Sequence, residues 1–167
     1  MFLEPIASEP ILYVFGAGHV SSQVVPLAHR VGFKVIVIDD RPEFADLLKF
    51  PDADKVFCYP YQDVIKRFSI DQSSYIMIAT RSHSCDEMVL GQALRTEACY
   101  LGMIGSKRKA EKTFQILKAK GYSEEEIQKV HSPIGLPIGS KTPYEIAVSI
   151  LAEIILTLSS DKIQSPS

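Results

Sequence analysis

The chain has 167 residues, 46% of them hydrophobic and 23% charged, with a formal net charge of −2. That length suits one domain around one core, in the composition range of ordinary globular proteins. The charge balance offers no basic excess for nucleic acid or an anionic membrane surface, so neither is expected as a partner.

Residues 1–10 form a Pro-containing lead without the basic start and apolar run of a signal peptide. Cys58, Cys85 and Cys99 have no CxxC spacing and an odd count, which reads as reduced thiols and a cytoplasmic location. From residue 11 the apolar runs ILYVF, KVIVID, KVFCY, SYIMIAT and CYLGMIG follow one another, nearly continuous rather than alternating. Such runs fit parallel strands covered on both faces. The segments between them, VSSQVVPLAHRVG, PEFADLLKF, YQDVIKRF, SCDEMVLGQALR and SKRKAEKTFQILKAKG, read as helices. Right-handed crossovers then give a Rossmann-like α/β fold: a doubly wound, mostly parallel sheet in the order 3-2-1-4-5 with helices on both faces.

Local signals sharpen some boundaries. Ser84 with Glu87 reads as a capping box, Gly121 closes the longest crossover helix, and Pro26 predicts a kink or a shifted boundary in the first one. Beyond Gly121 come a short acidic helix, SEEEIQKV, and the loop HSPIGLPIGS, whose two Pro-Ile-Gly units let backbone approach a neighbour closely. Thr142, Pro143 and Glu145 then supply an N-cap, a first-turn proline and a capping acid for the last helix. That helix is apolar on nearly all sides, though Ser149 and Glu153 argue against a membrane span. It predicts packing against the sheet or a partner chain, with a homodimer as the expected state. The domain is read as residues 11–158, followed by a flexible polar tail over 159–167.

In ILYVFGAGHVSSQVV, Gly16 and Gly18 allow a tight strand-to-helix turn and close backbone approach to a pyrophosphate at the helix N-terminus. His19 lies in the same loop, and Ser21, at the third glycine position, is small enough for helix-on-strand packing. Asp39 ends the next strand, where an acid accepts from ribose hydroxyls. Arg41 could instead pair with a 2′-phosphate that Asp39 repels, so NAD or another adenosine nucleotide is favoured over NADP.

Ligands of doubly wound sheets bind outside the strand carboxyl ends at the switch point, here between the first and fourth strands. The fourth strand leads into Thr80, Arg81, Ser82 and His83, and His83 is the candidate acid or base. The fifth leads into Gly105, Ser106, Lys107, Arg108 and Lys109. Basic residues at a helix N-terminus oppose the helix dipole and point to a bound phosphate. His131 opens the Pro-Ile-Gly loop on the expected same side, but the histidines lack a metal-ligand spacing and no metal site is assigned.

Together GAGHV, VIDDRPEFA, the TRSH segment through Asp86, YLGMIGSKRK and PIGLPIGSKTPYEIAVSILAEI resemble the nucleotide-fold domain of the xanthine dehydrogenase accessory proteins, the XdhC/CoxI type. The resemblance spans residues 11–156. It implies a maturation factor that binds molybdenum cofactor and delivers it, sulfurated, to an apo molybdenum hydroxylase such as xanthine or carbon monoxide dehydrogenase. By position, Gly16, Gly18, His19 and Asp39 fall in the family's nucleotide-loop motif, Arg41, Arg81, His83 and Asp86 in the next two, and Gly105, Ser106, Lys107 and Arg108 in the basic one. Ser21 and Ser82 stand where the family often has glycine, and Pro137 where an acid is common. Family members usually carry a preceding domain with a cysteine motif, so the resemblance implies either a split or truncated member or a chain that works with a separate partner domain or a cysteine desulfurase. The rival reading is an NAD-dependent oxidoreductase or an NAD-sensing module.

Overall fold

Five parallel strands form one sheet in the order β3-β2-β1-β4-β5 in a computed structural model that describes residues 9–164. The strands are β1 (Ile11–Phe15), β2 (Lys34–Asp39), β3 (Lys55–Cys58), β4 (Ser74–Ile78) and β5 (Tyr100–Met103). The helices are α1 (His19–Arg30), α2 (His83–Ala93), α3 (Lys107–Ala119), α4 (Glu124–Gln128) and α5 (Pro143–Gln164). Most of the N-terminal lead, residues 1–8, and the last three residues of the expected tail lie outside the described residues. Residues 159–164, read from sequence as tail, continue α5.

Alternate residues of the apolar runs serve two cores. Leu12 and Val14 of β1, Val35 and Val37 of β2, and Tyr75 and Met77 of β4 meet α1 and α5, while Tyr13, Phe15, Ile76 and Ile78 meet α2, α3 and α4. Burying each such side chain contributes about 1.5–3 kcal/mol, and that two-sided demand explains the continuous hydrophobicity of the strands. The strand order matches the expectation, with the switch point between β1 and β4.

Helices are where sequence and structure part. Residues 42–50 form turns, and 61–68 form only a 3-10 turn over Val64–Arg67. Asp46 bonds the Leu48 N–H at 2.9 Å and Pro51 follows, so a short segment spends its bonds on local turns instead of completing a helical nucleus. α2 is capped by Ser82, which accepts from Cys85 N–H, so the Ser84–Glu87 box expected from sequence does not form. α1 continues across Pro26 without a shifted boundary. Ser123 and Glu126 make a capping box for α4.

Thr142 and Glu145 cap α5 reciprocally, as their spacing predicts. α5 has the length and composition of a membrane span, yet Ala147, Ile150, Leu151 and Ile154 pack into the α1-side core. What the Pro-Ile-Gly loop approaches is this helix. At Gly135, whose φ is +99°, a Cβ would lie 2.2 Å from Ser149 Oγ, and Ser149 donates to the Leu136 carbonyl at 2.6 Å. His131 joins the β5 edge through a parallel bridge to Gly102 and stacks on Tyr100 at 4.8 Å.

Candidate functional site

The β1–α1 loop divides its two glycines between different tasks. Gly16 has φ +110°, and a Cβ there would sit 1.9 Å from the Ala79 carbonyl oxygen, so it lets the loop press against the end of β4. Gly18 caps α1 with no side-chain bond, and the space beside its α-carbon is open. The first amides of α1 thus lack a capping side chain, which is the arrangement that favours an anion. Ser21 is buried beneath, its hydroxyl without a partner among the described residues. His19 is exposed and lines a cavity of about 220 Å3 with Gly18, Ser22, Phe44 and Lys49.

Asp39 ends β2 fully buried. Its Oδ2 accepts from Ala17 N–H at 2.8 Å and Arg41 Nη2 at 3.0 Å, and its Oδ1 from Arg41 N–H and Nε, both at 2.9 Å. Burial alone pushes this carboxyl up, but the bonds from Arg41 and Ala17 outweigh it and hold it below the usual carboxylate range. Arg41 in turn lies 3.7 Å over the Phe44 ring. Both oxygens being committed, Asp39 anchors the glycine loop and Arg41 and presents no free acceptor to a ribose.

Asp86 plays the same part on the other side of the switch point. It is 1% exposed, accepts from Thr80 N–H at 2.8 Å and Thr80 hydroxyl at 2.6 Å, and pairs with the Lys109 ammonium. Lys109 also donates to the Ile104 carbonyl at 3.0 Å. Gly105, with φ +143°, makes room for it, since a Cβ there would meet Lys109 Cδ at 2.5 Å. One of the three basic residues opening α3 is therefore paired internally. Ser106, which caps α3 by accepting from Lys109 N–H, remains exposed, as do Lys107 and Arg108.

Between the N-termini of α2 and α3 lies a cavity of about 580 Å3. His83, Ser106, Arg108 and Lys112 are among the residues that line it. The predicted residues thus do not converge on one pocket. Gly18 and His19 face one opening, His83, Ser106 and Arg108 another, while Asp39, Asp86 and Ser21 are internal supports. Between the two openings Arg81 crosses the end of β1 to pair with Asp40.

Tyr61, Lys112 and the pairing of Lys109 were not singled out from the sequence. The Arg108–Lys112 spacing, which places two cations on one helix face, was a readable signal. The Asp86–Lys109 pair spans 23 residues and two elements and leaves no local pattern. Among the described residues no group of three His, Cys, Asp or Glu side chains is placed to hold a metal, and His131 lies apart on the β5 edge, 3.5 Å from Glu153.

The chain is 33% identical over 157 residues to a probable xanthine dehydrogenase component of Bacillus subtilis, matching 94% of this chain and 46% of that protein. It is 28% identical over 85 residues to the molybdenum cofactor insertion chaperone PaoD of Escherichia coli, covering 51% of this chain and 27% of that one. A crystal structure of a xanthine dehydrogenase from Bacillus halodurans superposes with a TM-score of 0.82 at 31% identity, over 95% of this chain and 45% of that chain. The chain thus spans less than half the length of these relatives. Residues 12–154 match the XdhC Rossmann domain, and the chain belongs to that family.

Proposed function

We propose that this chain serves the maturation of molybdenum hydroxylases, holding molybdenum cofactor at the carboxyl edge of its sheet and assisting its delivery to the apoenzyme. The observation that carries the reading is the pair of openings there, one at the uncapped N-terminus of α1 and one ringed by Ser106, Arg108 and Lys112. The cofactor's pterin bears a phosphate, often extended by a nucleotide, and these two anion-favouring ends suit such an elongated ligand. When bound, the group supplies the molybdenum–dithiolene centre of the target enzyme. This chain's own residues would orient it: α1 amides and Arg108 toward phosphates, and His83 at the cavity wall as a proton donor or acceptor. Family membership and the likeness to PaoD support a maturation role.

The proposed partners are an apo molybdenum hydroxylase, a separately supplied domain or cysteine desulfurase, and a second copy of the chain, in the cytoplasm. An NAD-linked role draws less support, because Asp39 is committed to Arg41 and Ala17 and offers nothing to a ribose diol. Native mass spectrometry of the purified protein tests the reading. Retained or added molybdopterin binding near-stoichiometrically supports it, while binding of NAD(H) alone overturns it.

A further inference from the structure

The Asp40–Arg81 pair sits where a ligand of this fold has to enter. β1 lies between β2 and β4, and the pair joins the loops that follow those two strands, so it roofs the carboxyl end of β1. It is a fork: Arg81 Nε lies 3.1 Å from both Asp40 oxygens and Nη2 2.8 Å from Oδ2. The Arg81 side chain is 45% exposed and that of Asp40 16%, so the carboxylate is the more enclosed member of the pair and the guanidinium the more solvent-facing one.

Beside this pair is a second, independent sign. Tyr61 is 3% exposed, and its hydroxyl has no hydrogen-bond partner among the described residues. Its titration is shifted upward, first by burial and then by the Asp39 and Asp40 carboxylates, so the hydroxyl lies within the field of both acids. Its carbonyl accepts from Gln92 Nε2 at 2.7 Å, which helps fix the residue. A buried hydroxyl in that position awaits a polar atom brought by a ligand.

The fork defines the shape of that ligand. Arg81 offers Asp40 a flat edge of parallel N–H donors, and the ring N–H plus 2-amino group of a 2-amino-4-oxopyrimidine ring, in pterins and in guanine, offers the same edge. Adenine places an acceptor beside its amino group and does not. We infer that Asp40 is the recognition residue for a 2-amino-4-oxopyrimidine ring, which displaces Arg81 from the carboxylate. The Tyr61 hydroxyl then meets a further polar atom of the ring, and the freed Arg81 pairs with the ligand's phosphate. This deepens the proposed function and rests on it for the choice of pterin over guanine.

The test is a set of matched titrations by fluorescence or calorimetry. Pterin-6-carboxylate is compared with lumazine-6-carboxylate, which has oxygen in place of the 2-amino group, and GMP with IMP and AMP. The expected preference for the 2-amino compound is about 10-fold or more, because without that group the ring offers Asp40 one donor instead of two and no longer matches the Arg81 edge it has to displace. Asp40→Asn reduces that preference to near unity, whereas Arg81→Ala keeps it and lowers GMP affinity relative to guanosine. Tyr61→Phe, which removes one atom and leaves the packing, weakens pterin binding roughly 3- to 10-fold. Equal binding within each pair, or a preference that survives Asp40→Asn, overturns the inference. Molybdopterin binding that is unchanged in Asp40→Asn also overturns it and leaves the maturation reading standing. A GMP-over-IMP preference without pterin binding keeps the role of Asp40 and overturns the pterin assignment.

Discussion

The ammonium of Lys109 in α3 rests against Oδ2 of Asp86 in α2, with the two side chains 14% and 1% exposed. Through Thr80, which donates twice to the same carboxylate, this contact ties the ends of β4 and β5 to the helices that follow them. Replacing Lys109 with Met leaves a buried carboxylate without its counter-charge. The expected loss is about 3–5 kcal/mol of folding stability. Urea denaturation checks it, and adding Asp86→Asn to the same chain should recover part of the loss.

The glycines of the opening loop should respond in opposite ways. Gly16→Ala forces a Cβ into the Ala79 carbonyl from a backbone at φ +110° and should cost roughly 2–4 kcal/mol. Gly18→Ala, at φ −86° beside open space, should cost no more than about 1 kcal/mol, the difference between Gly and Ala at an N-cap. Its added methyl instead narrows the approach to the α1 amides. Thermal melts with and without molybdopterin separate a stability effect from a binding effect.

Asp39 predicts an acid limb in the stability profile. Its carboxyl is depressed in the folded protein, so the unfolded chain binds the proton first as pH falls. The stabilisation is present above the ordinary carboxylate value of about 3.9 and is lost as pH drops through the lower folded value. Asp39→Asn should flatten that limb and cost roughly 1.5–3 kcal/mol at neutral pH, as charge-assisted bonds to Arg41 are removed. Denaturant midpoints measured from pH 7 down to pH 2 read both effects.

The basic cavity between α2 and α3 predicts a salt-sensitive contribution. Arg108 and Lys112 line it from one helix face, and reversing both to Glu should leave folding within about 1 kcal/mol because exposed charges contribute little. Cofactor affinity should fall at least 10-fold in low salt and less at high ionic strength, where screening shortens the reach of charge. Equal affinity of the parent and the double variant would place the phosphate elsewhere.

Strand order was legible because each apolar run has to satisfy two helical layers, and the glycine loop marks where the first helix leaves the sheet. The helix expected over residues 42–50 failed for a local reason, since Asp46 and Pro51 favour turns over a nucleus too short to propagate, and 61–68 keeps only a 3-10 turn. Gly18 and His19 line one cavity, and His83 and Arg108 another. Asp39 was chemically conspicuous in the sequence and Asp86 entered through the family motif, yet both are buried and act as supports. Which cation satisfies a buried carboxylate depends on tertiary distance. Neither Lys109 nor Tyr61, whose phenol has no partner among the described residues, announces that distance in its neighbours.

The His131 bridge has a consequence for how copies of this chain can meet. By donating its amide to the Leu101 carbonyl and accepting from Met103 N–H, it occupies the outer ladder of β5 at those positions. The opposite margin is β3, four residues long and bearing exposed Lys55 and Cys58. Edge-to-edge strand addition is thus steered toward the shorter and charged margin, where extended pairing is least favourable.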